Sequence, residues 1–214
     1  MQKSILIHIM KVIVVCSQKG GTGKTTLTLN LAALQSAQAG SKVMILDLDP
    51  QSSCQYWHNL RPSEEPAVRA VEPDHLLLTL SELEDEGYTH VWLDFPPVLK
   101  KWVRKSLRYA DLVLIPTRAS VLDIASSAAT LAWAKEMGTQ VRWVINGAQP
   151  RSRMAEKIRQ SLVQHSPVCS TLIHERVDFA LSIPLGQAVH EFSPRSKATR
   201  EVRNLHQEIT DILS

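Results

Sequence analysis

The sequence predicts an α/β fold, in which a doubly wound, mostly parallel sheet is flanked by helices on both faces. Short apolar segments of strand length alternate with helical segments along the chain, which is typical of such sheets. The chain has 214 residues, of which 44% are hydrophobic, enough for one domain with its own core. We therefore expect a single domain over residues 11–214, preceded by an N-terminal extension over residues 1–10.

Each predicted element follows from a local pattern of apolar residues. Apolar runs of strand length predict strands at residues 11–16, 42–47, 67–71, 90–94, 112–116, 140–146 and 167–172. Helical periodicity predicts helices at residues 25–39, 74–86, 122–137, 152–165 and 198–213. In the first of these helices Leu27, Leu31 and Leu34 share one face, and Gly40 provides a C-terminal stop.

The composition argues against several classes of protein. The three cysteines lie far apart without metal-ligand spacing, which predicts neither a disulfide framework nor a zinc site and favours a reducing cytoplasm. The longest apolar runs have only the length of a strand, so we expect no membrane span. The final residues HQEITDILS are acidic to neutral instead of basic, so we expect no membrane partner. His8 and Lys11 interrupt the apolar N-terminus, which argues against a signal peptide and leaves Met10 as a candidate natural start.

A glycine-rich turn between the first predicted strand and helix is the clearest chemical motif. It has the sequence QKGGTGKTT over residues 18–26 and fits the phosphate-binding loop G-x-x-x-x-G-K-[ST], except that Gln18 replaces the first glycine. Backbone N–H groups of such a loop converge on phosphate oxygens at the positive end of the following helix. The predicted nucleotide-binding residues here are Gly20, Gly21, Thr22, Gly23, Lys24, Thr25 and Thr26.

Acidic residues at neighbouring strand ends complete a predicted site for Mg²⁺ and a nucleoside triphosphate such as ATP. Lys24 is expected to bridge the β- and γ-phosphates, while Thr25 and Asp94, from the segment VWLDFPP, hold Mg²⁺. The segment LDLDPQ places Asp47 and Asp49 beside the phosphates. One of these acids can orient an attacking water and the other can support the metal or the loop. Alternatively, both acids cap the next helix.

The combination of KGGTGKTT with DLDPQ and DFPP resembles the deviant Walker A ATPases of the ParA/MinD group. Their distinguishing feature is an additional lysine at the mouth of the loop, here Lys19. The resemblance extends from Lys11 to the C-terminus. The segments VIN at residues 144–146, RVDFALSIPLGQAVHEF at residues 176–192 and KATREVRNLHQEI near the end are most similar to small plasmid-type ParA proteins.

This resemblance implies that two subunits close face to face over two ATP molecules, with Lys19 of each subunit reaching the phosphates held by the other. ATP would then favour a homodimer, and hydrolysis would release it. The resemblance also implies that Asp49 positions the attacking water with assistance from Asp47. It further implies that Asn146 contacts the adenine edge, unless Asn146 is only a strand-end turn residue. Phe95 departs from the family pattern, in which a small residue more often follows the Walker B aspartate.

Positive charge is concentrated in the second half of the chain. Residues 1–100 carry 8 basic and 11 acidic side chains, whereas residues 101–214 carry 16 and 10. The resembled proteins bind nonspecific DNA as ATP dimers through basic side chains, contacts that need no base recognition. The DNA-binding candidates in this chain are Arg151, Arg153, Lys157, Arg159, Arg195, Lys197, Arg200 and Arg203.

The predicted function is therefore that of a ParA-type ATPase for plasmid or chromosome partition. The resemblance implies a ParB-like centromere-binding partner that stimulates slow hydrolysis, and a cytoplasmic protein that associates with the nucleoid when ATP is bound. Two alternatives within the fold are an ATP-gated scaffold that positions a protein complex and a MinD-like spatial regulator. A nitrogenase-type iron protein is disfavoured because Cys169 is the only cysteine beyond Asp94. A metabolic ligase is disfavoured because Lys19 would have no role in it.

Overall fold

The computed structural model of the protein describes residues 10–98, 100–164 and 166–214. Within this part of the chain, six strands form one sheet in which every pairing is parallel, in the order β3-β2-β4-β1-β5-β6. The strands are β1 (Lys11–Val15), β2 (Val43–Asp47), β3 (Ala67–Ala70), β4 (His90–Asp94), β5 (Leu112–Thr117) and β6 (Gln140–Ile145). The α/β prediction is confirmed.

Nine α-helices accompany the sheet in the described residues. They are α1 (Lys24–Ser36), α2 (Ser53–Asn59), α3 (Leu76–Asp85), α4 (Lys101–Ser106), α5 (Val121–Glu136), α6 (Arg153–Val163), α7 (Val177–Ser182), α8 (Val189–Phe192) and α9 (Lys197–Leu213). Short 3₁₀ helices lie at Pro73–His75, Leu107–Tyr109 and Ile183–Leu185. No helix of the described residues has both the length and the apolar character that crossing a bilayer requires.

The helices bury the two faces of the sheet in separate cores. Alternate residues of β1 point to opposite faces, so Val12 and Val14 lie in one core and Ile13 and Val15 in the other. Helices α3, α4, α5 and α6 contribute to the first core, whereas α1, α2, α8 and α9 contribute to the second. Met10, assigned to the predicted extension, packs in the first core, and residues 1–9 lie outside the described residues.

The predicted strand at residues 167–172 is wrong. Val168 forms only an isolated bridge with Trp143 of β6. Two residues further on, the backbone bonds to α9 instead of β6. The carboxylate of Glu208 accepts hydrogen bonds from the backbone N–H groups of Ser170 (2.7 Å) and Thr171 (2.8 Å). A glutamate on the neighbouring helix has therefore taken donors that a further strand would use. His165, the predicted end of one helix, lies outside the described residues.

The short elements α2, α4, α7 and α8 were not predicted from the sequence. Each has only four to seven residues, too few for a periodic apolar pattern to stand out. Packing against the sheet and neighbouring helices stabilises such short helices. In α2, for example, Cys54 and Trp57 are fully buried in the second core.

The backbone contact at Gly186 allows a direct stability test. Gly186 has φ +65°, and a Cβ there would lie 2.4 Å from the carbonyl carbon of Leu60. Gly138 has a similar φ of +72°, but nothing lies within 4 Å of its added Cβ. Gly138→Ala should cost about 1–2 kcal/mol of unfolding free energy through backbone strain alone, and Gly186→Ala about 1–3 kcal/mol more through overlap. Equal losses in urea unfolding would contradict this packing.

Candidate nucleotide-binding site

The glycine-rich loop connects the end of β1 with the start of α1 at the carboxyl edge of the sheet. Gly21 and Gly23 adopt left-handed conformations, with φ values of 73° and 87°. A Cβ on Gly23 would lie 2.0 Å from Nδ2 of Asn146, so a side chain there would strain the backbone and displace Asn146. The loop is also closed internally by a 2.6 Å hydrogen bond between the hydroxyls of Ser17 and Thr22.

Asn146, at the end of β6, supports the loop. Its Nδ2 donates a 2.7 Å hydrogen bond to the carbonyl of Thr22, and its backbone N–H donates to the carbonyl of Thr117 at 2.8 Å. The side-chain amide thus fixes the loop backbone next to Gly23. The predicted contact of Asn146 with adenine stays a prediction.

Lys24 begins α1 with its side chain directed back over the loop. Its Nζ donates to the carbonyl of Lys19 at 3.4 Å, and the residue is buried. Burial lowers the pKa of the Lys24 ammonium, while the Asp94 carboxylate opposes that shift. A buried ammonium with one long hydrogen bond is suited to bind a phosphate oxygen. The cleft around it is lined by Gly20, Gly21, Gly23, Lys24, Thr25, Thr26, Asp49 and Pro97.

Thr25 and Asp94 form the candidate magnesium site. The Thr25 hydroxyl donates a 2.6 Å hydrogen bond to Oδ2 of Asp94, which ends β4 next to β1. Asp94 is buried, and this burial raises the pKa of its carboxyl to about 7, although the hydrogen bond from Thr25 counteracts part of the rise. A hydroxyl and a carboxylate are oxygen ligands of the type that Mg²⁺ prefers. The residues present therefore fit this ion.

Cys54 brings a thiol to the same carboxylate. One ligand atom from each of Asp47, Cys54 and Asp94 lies within 4.8 Å of the others. Burial raises the pKa of the Cys54 thiol well above its usual value, and its Sγ donates to Oδ2 of Asp94 at 3.4 Å. A protonated thiol is a poor metal ligand. This thiol therefore acts as a hydrogen-bond donor to Asp94.

Asp47 and Asp49 occupy different environments. Oδ2 of buried Asp47 accepts hydrogen bonds from the backbone N–H groups of Cys54 (2.9 Å) and Gln55 (3.4 Å) in the first turn of α2, and Oδ1 accepts from Asp49 (3.1 Å). These bonds to the start of α2 fit the helix-capping interpretation of Asp47. Asp49 is only half-buried, lines the phosphate cleft and accepts from the backbone of Gln51 at 3.0 Å. Of these two acids, only Asp49 lines the phosphate cleft.

Lys19 forms an ion pair that sequence reasoning missed. Its Nζ contacts Oδ1 of Asp123 in the first turn of α5, and the two side chains are 47% and 2% exposed. Lys19 does not line the phosphate cleft of its own chain. Asp123 had a sequence signal, because it opens the helix that follows β5 at the same edge of the sheet. Arg118, also missed, donates from Nε to the carbonyl of Gly21 at 3.2 Å.

The predicted DNA-binding cations fall into two groups on opposite faces of the sheet. Arg153, Lys157 and Arg159 lie on α6, which packs in the first core, whereas Lys197, Arg200 and Arg203 lie on α9, which packs in the second. Arg151 and Arg195 precede these two helices. Arg159 is paired with Glu156 at 2.7 Å, and the other seven are exposed. One subunit therefore does not gather all eight into a single patch.

Comparison with known proteins identifies the family. Residues 13–188 match the model of the CobQ/CobB/MinD/ParA nucleotide binding domain, so the chain belongs to this family of P-loop ATPases. The family assignment confirms the resemblance found in the loop and strand-end motifs. It also establishes that the cleft around Lys24 belongs to a nucleotide-binding fold.

Curated relatives include partition and positioning proteins. The chain is 28% identical to the chromosome-partitioning ATPase Soj of Thermus thermophilus, with 92% of this chain and 94% of that protein covered. It is 27% identical to the maintenance of carboxysome distribution protein A of Halothiobacillus neapolitanus, with 91% and 94% covered. It is also 35% identical to ParA of Rhizobium radiobacter over 57% of this chain and 55% of that protein.

Solved structures share the fold. The structure of apo McdA from Cyanothece superposes with a TM-score of 0.75 at 17% identity, covering 96% of this chain and all of the other. The septum site-determining protein MinD of Pyrococcus horikoshii, complexed with Mg-ADP, also gives 0.75, at 20% identity and with 96% and 99% covered. These likenesses support the architecture of the sheet and the location of the loop within it.

The raised pKa of Asp94 predicts how stability depends on pH without Mg²⁺ or nucleotide. The folded protein holds this proton up to about pH 7, whereas the unfolded chain releases it near pH 4. The stabilising contribution of protonated Asp94 is therefore complete below pH 4 and is lost as the pH rises to 7. At pH 8, Asp94→Asn should raise the unfolding free energy by roughly 2–4 kcal/mol, and the gain should disappear near pH 4.

The control for this measurement is Asp49→Asn, which removes the same charge from a half-buried carboxylate at the same edge of the sheet. Urea unfolding of both variants from pH 4 to pH 8 would separate burial from net charge. A pH-independent effect of Asp94→Asn, or an equal gain from Asp49→Asn, would contradict the account.

Proposed function

We propose that the protein is a ParA-type ATPase in which Mg-ATP drives dimerisation, the dimer binds DNA without sequence preference, and a ParB-like partner stimulates hydrolysis. The observation that carries this proposal is the placement of Lys19. Its ammonium lies at the mouth of the loop, partly exposed, and contacts Asp123 instead of the phosphate cleft of its own chain. A lysine in this position is available to a second copy of the chain.

The residues of the cleft support hydrolysis of the γ-phosphate. The loop N–H groups and Lys24 would hold the phosphates, while Thr25 and Asp94 would hold Mg²⁺. The bound ion would neutralise charge on the phosphate oxygens. Asp49 would accept a hydrogen bond from a water aligned with the γ-phosphorus. Attack by that water breaks the bond between the γ-phosphorus and the bridging oxygen, which leaves ADP and inorganic phosphate.

Lys19 would link the nucleotide state to the dimer. When Lys19 leaves Asp123, the buried carboxylate loses its cation, which is unfavourable unless another interaction compensates. A contact with the triphosphate held by the partner subunit would supply that compensation, because the triphosphate carries more negative charge than ADP. The dimer would therefore be stable with ATP and would separate after hydrolysis.

DNA binding would follow from dimerisation. The exposed cations of α6 and α9 suit contacts with phosphate oxygens, and two subunits double their number. The affinity for DNA would therefore rise when the dimer forms and fall when it separates. A ParB-like partner would raise a slow basal turnover, and the ATP-bound protein would associate with the nucleoid in the cytoplasm. Similarity to Soj and to ParA supports partition of a chromosome or a plasmid as the role.

A second candidate function is ATP-gated positioning of a protein complex. Similarity to carboxysome distribution protein A over 91% of the chain favours this candidate, and the neighbouring MinD structures suggest a related spatial regulator. The two candidates differ in cargo. Isolation of the product of an adjacent gene, followed by measurement of its effect on ATP turnover, would distinguish a centromere-binding partner from a protein-complex adaptor.

If ATP drives dimerisation through Lys19, replacing each of the two loop lysines by alanine should impair a different step. With a non-hydrolysable ATP analogue, sedimentation velocity should find the wild-type protein as a dimer. Lys24→Ala should bind the analogue at least tenfold more weakly and stay monomeric, because a phosphate ligand is lost. Lys19→Ala should bind the analogue yet stay monomeric. Lys42→Ala, an exposed lysine before β2 at the opposite edge, serves as the control. Normal dimerisation of Lys19→Ala would contradict the proposal.

Nonspecific phosphate contacts predict a steep salt dependence. With the ATP analogue, affinity for a random duplex should fall by about 10³ or more between 50 and 200 mM salt if six or more phosphates are contacted. Fluorescence anisotropy can measure this fall, and ADP should give weak binding at every salt concentration. Weak, salt-insensitive binding of the ATP form to DNA would contradict the partition role and favour the positioning role.

A further inference from the structure

Helix α4 and the turn after it carry a cluster of basic residues that belongs to neither predicted DNA-binding group. Residues 95–110 contain no acidic residue but five basic ones, namely Lys100, Lys101, Arg104, Lys105 and Arg108. Arg104 is paired with Glu136 of α5. The other four are exposed and make no ion pair within the described part of the chain.

The geometry of α4 directs these cations outward together. Val103, Ser106 and Leu107 are buried, which fixes the inner side of the helix and its following turn. Lys101, Lys105 and Arg108 are spaced by four and then three residues, so they project from one side. The arrangement is a compact ridge of positive charge over about two helical turns.

The composition of the ridge indicates the class of partner. Among the described residues, no exposed large hydrophobic side chain lies on α4 or its following turn, and the nearby exposed Leu77 lines one cavity with Arg108. A single leucine at one end of the ridge is far less apolar surface than the apolar face of a membrane-binding helix. The helix and its turn carry Lys and Arg with no acid in the same segment, although Glu84 and Asp111 lie near Arg108 at one end. Lys and Arg are the side chains that contact the phosphates of a nucleic acid backbone. We propose that Lys101, Lys105 and Arg108 form a contact surface for the phosphate backbone of duplex DNA.

This inference rests on the proposed DNA binding and adds a surface that its α6 and α9 residues do not include. The ridge lies directly after the loop that carries Asp94. Within that loop, Pro97 lines the phosphate cleft together with Lys24 and Thr25. The DNA surface is therefore connected to the nucleotide site by only a few residues.

An aromatic contact joins this loop to α4. Phe95 is fully buried, and its ring packs edge-on against Trp102 of α4, with the ring centroids 5.5 Å apart and the planes at 73°. A displacement of Asp94 or Pro97 by nucleotide would move Phe95, and Phe95 would move α4 with it. We therefore assign it the role of coupling nucleotide to the basic ridge.

The surface is tested with Lys101→Gln, Lys105→Gln and Arg108→Gln combined in one chain. Fluorescence anisotropy with a random 30-base-pair duplex and a non-hydrolysable ATP analogue gives the affinity over a series of salt concentrations. The matched control combines Lys11→Gln, Lys42→Gln and Arg69→Gln, which removes the same charge from positions outside every proposed DNA surface. A second control, Lys101→Arg with Lys105→Arg and Arg108→Lys, keeps the charge on the ridge. Circular dichroism verifies folding.

Loss of three phosphate contacts should weaken binding by about tenfold or more at 0.15 M salt, with a slope of log affinity against log salt less steep by about 2.7 for each subunit on the duplex. Both controls should stay within about threefold of wild type. Equal losses in the ridge variant and the matched control would overturn the inference, as would an unchanged slope. Binding of the wild type to anionic vesicles in place of DNA would also overturn it. Absence of DNA binding by the wild type would instead refute the proposed function.

The coupling is tested at Trp102, which is half-buried and tolerates change better than Phe95. Trp102→Leu should reduce the ratio of DNA affinities measured with the ATP analogue and with ADP by about fivefold or more, whereas Trp102→Phe should preserve the ratio. A loss of affinity in both nucleotide states with an unchanged ratio would overturn the coupling role of the aromatic contact. This readout separates coupling from a merely structural effect on the ridge.

Discussion

The parallel direction of all the strand pairings is the constraint on which the site depends. Because β1, β2, β4, β5 and β6 end at the same edge, the segments that follow them are brought together without any long connection. The glycine loop, Asp49, Asp123 and Asn146 all lie in these segments, and Asp94 is the last residue of β4. The two cores on either side of the sheet hold the strands in register and thereby fix the distances between these groups.

The charged groups at this edge each need a partner of opposite charge. Burial shifts the pKa of Lys24 downward and that of Asp94 upward, so each is poised for a partner of opposite charge. Within a single chain, the Thr25 hydroxyl donates a hydrogen bond to one oxygen of Asp94, and Asp123 is the ion-pair partner of Lys19. Mg-ATP would supply the partners for Lys24 and Asp94, and a second subunit would supply the partner for Lys19. In this account, Mg-ATP and the second subunit replace the weaker partners that these charged groups have within a single chain.

Local patterns in the sequence predicted most of the fold and the phosphate loop. Long periodic segments and buried apolar runs identified six strands and the longer helices, and the loop could be located because its glycines and Lys24 follow a fixed spacing. Partners distant in sequence could not be found in this way. The ion pair of Lys19 with Asp123 and the contact of Gly23 with Asn146 each join residues more than a hundred positions apart. The strand at residues 167–172 was mispredicted because Glu208, on α9, takes its backbone donors.

The central claim is that Lys19 of one subunit completes the phosphate site of the other. The most direct measurement is a crystal structure of the full chain with Mg²⁺ and a non-hydrolysable ATP analogue. The account predicts a two-fold dimer in which Nζ of Lys19 lies about 3 Å from a phosphate oxygen held by the other subunit, away from Asp123. A nucleotide-bound structure in which the same ammonium stays on Asp123 of its own chain, with no second subunit over the cleft, would contradict the account.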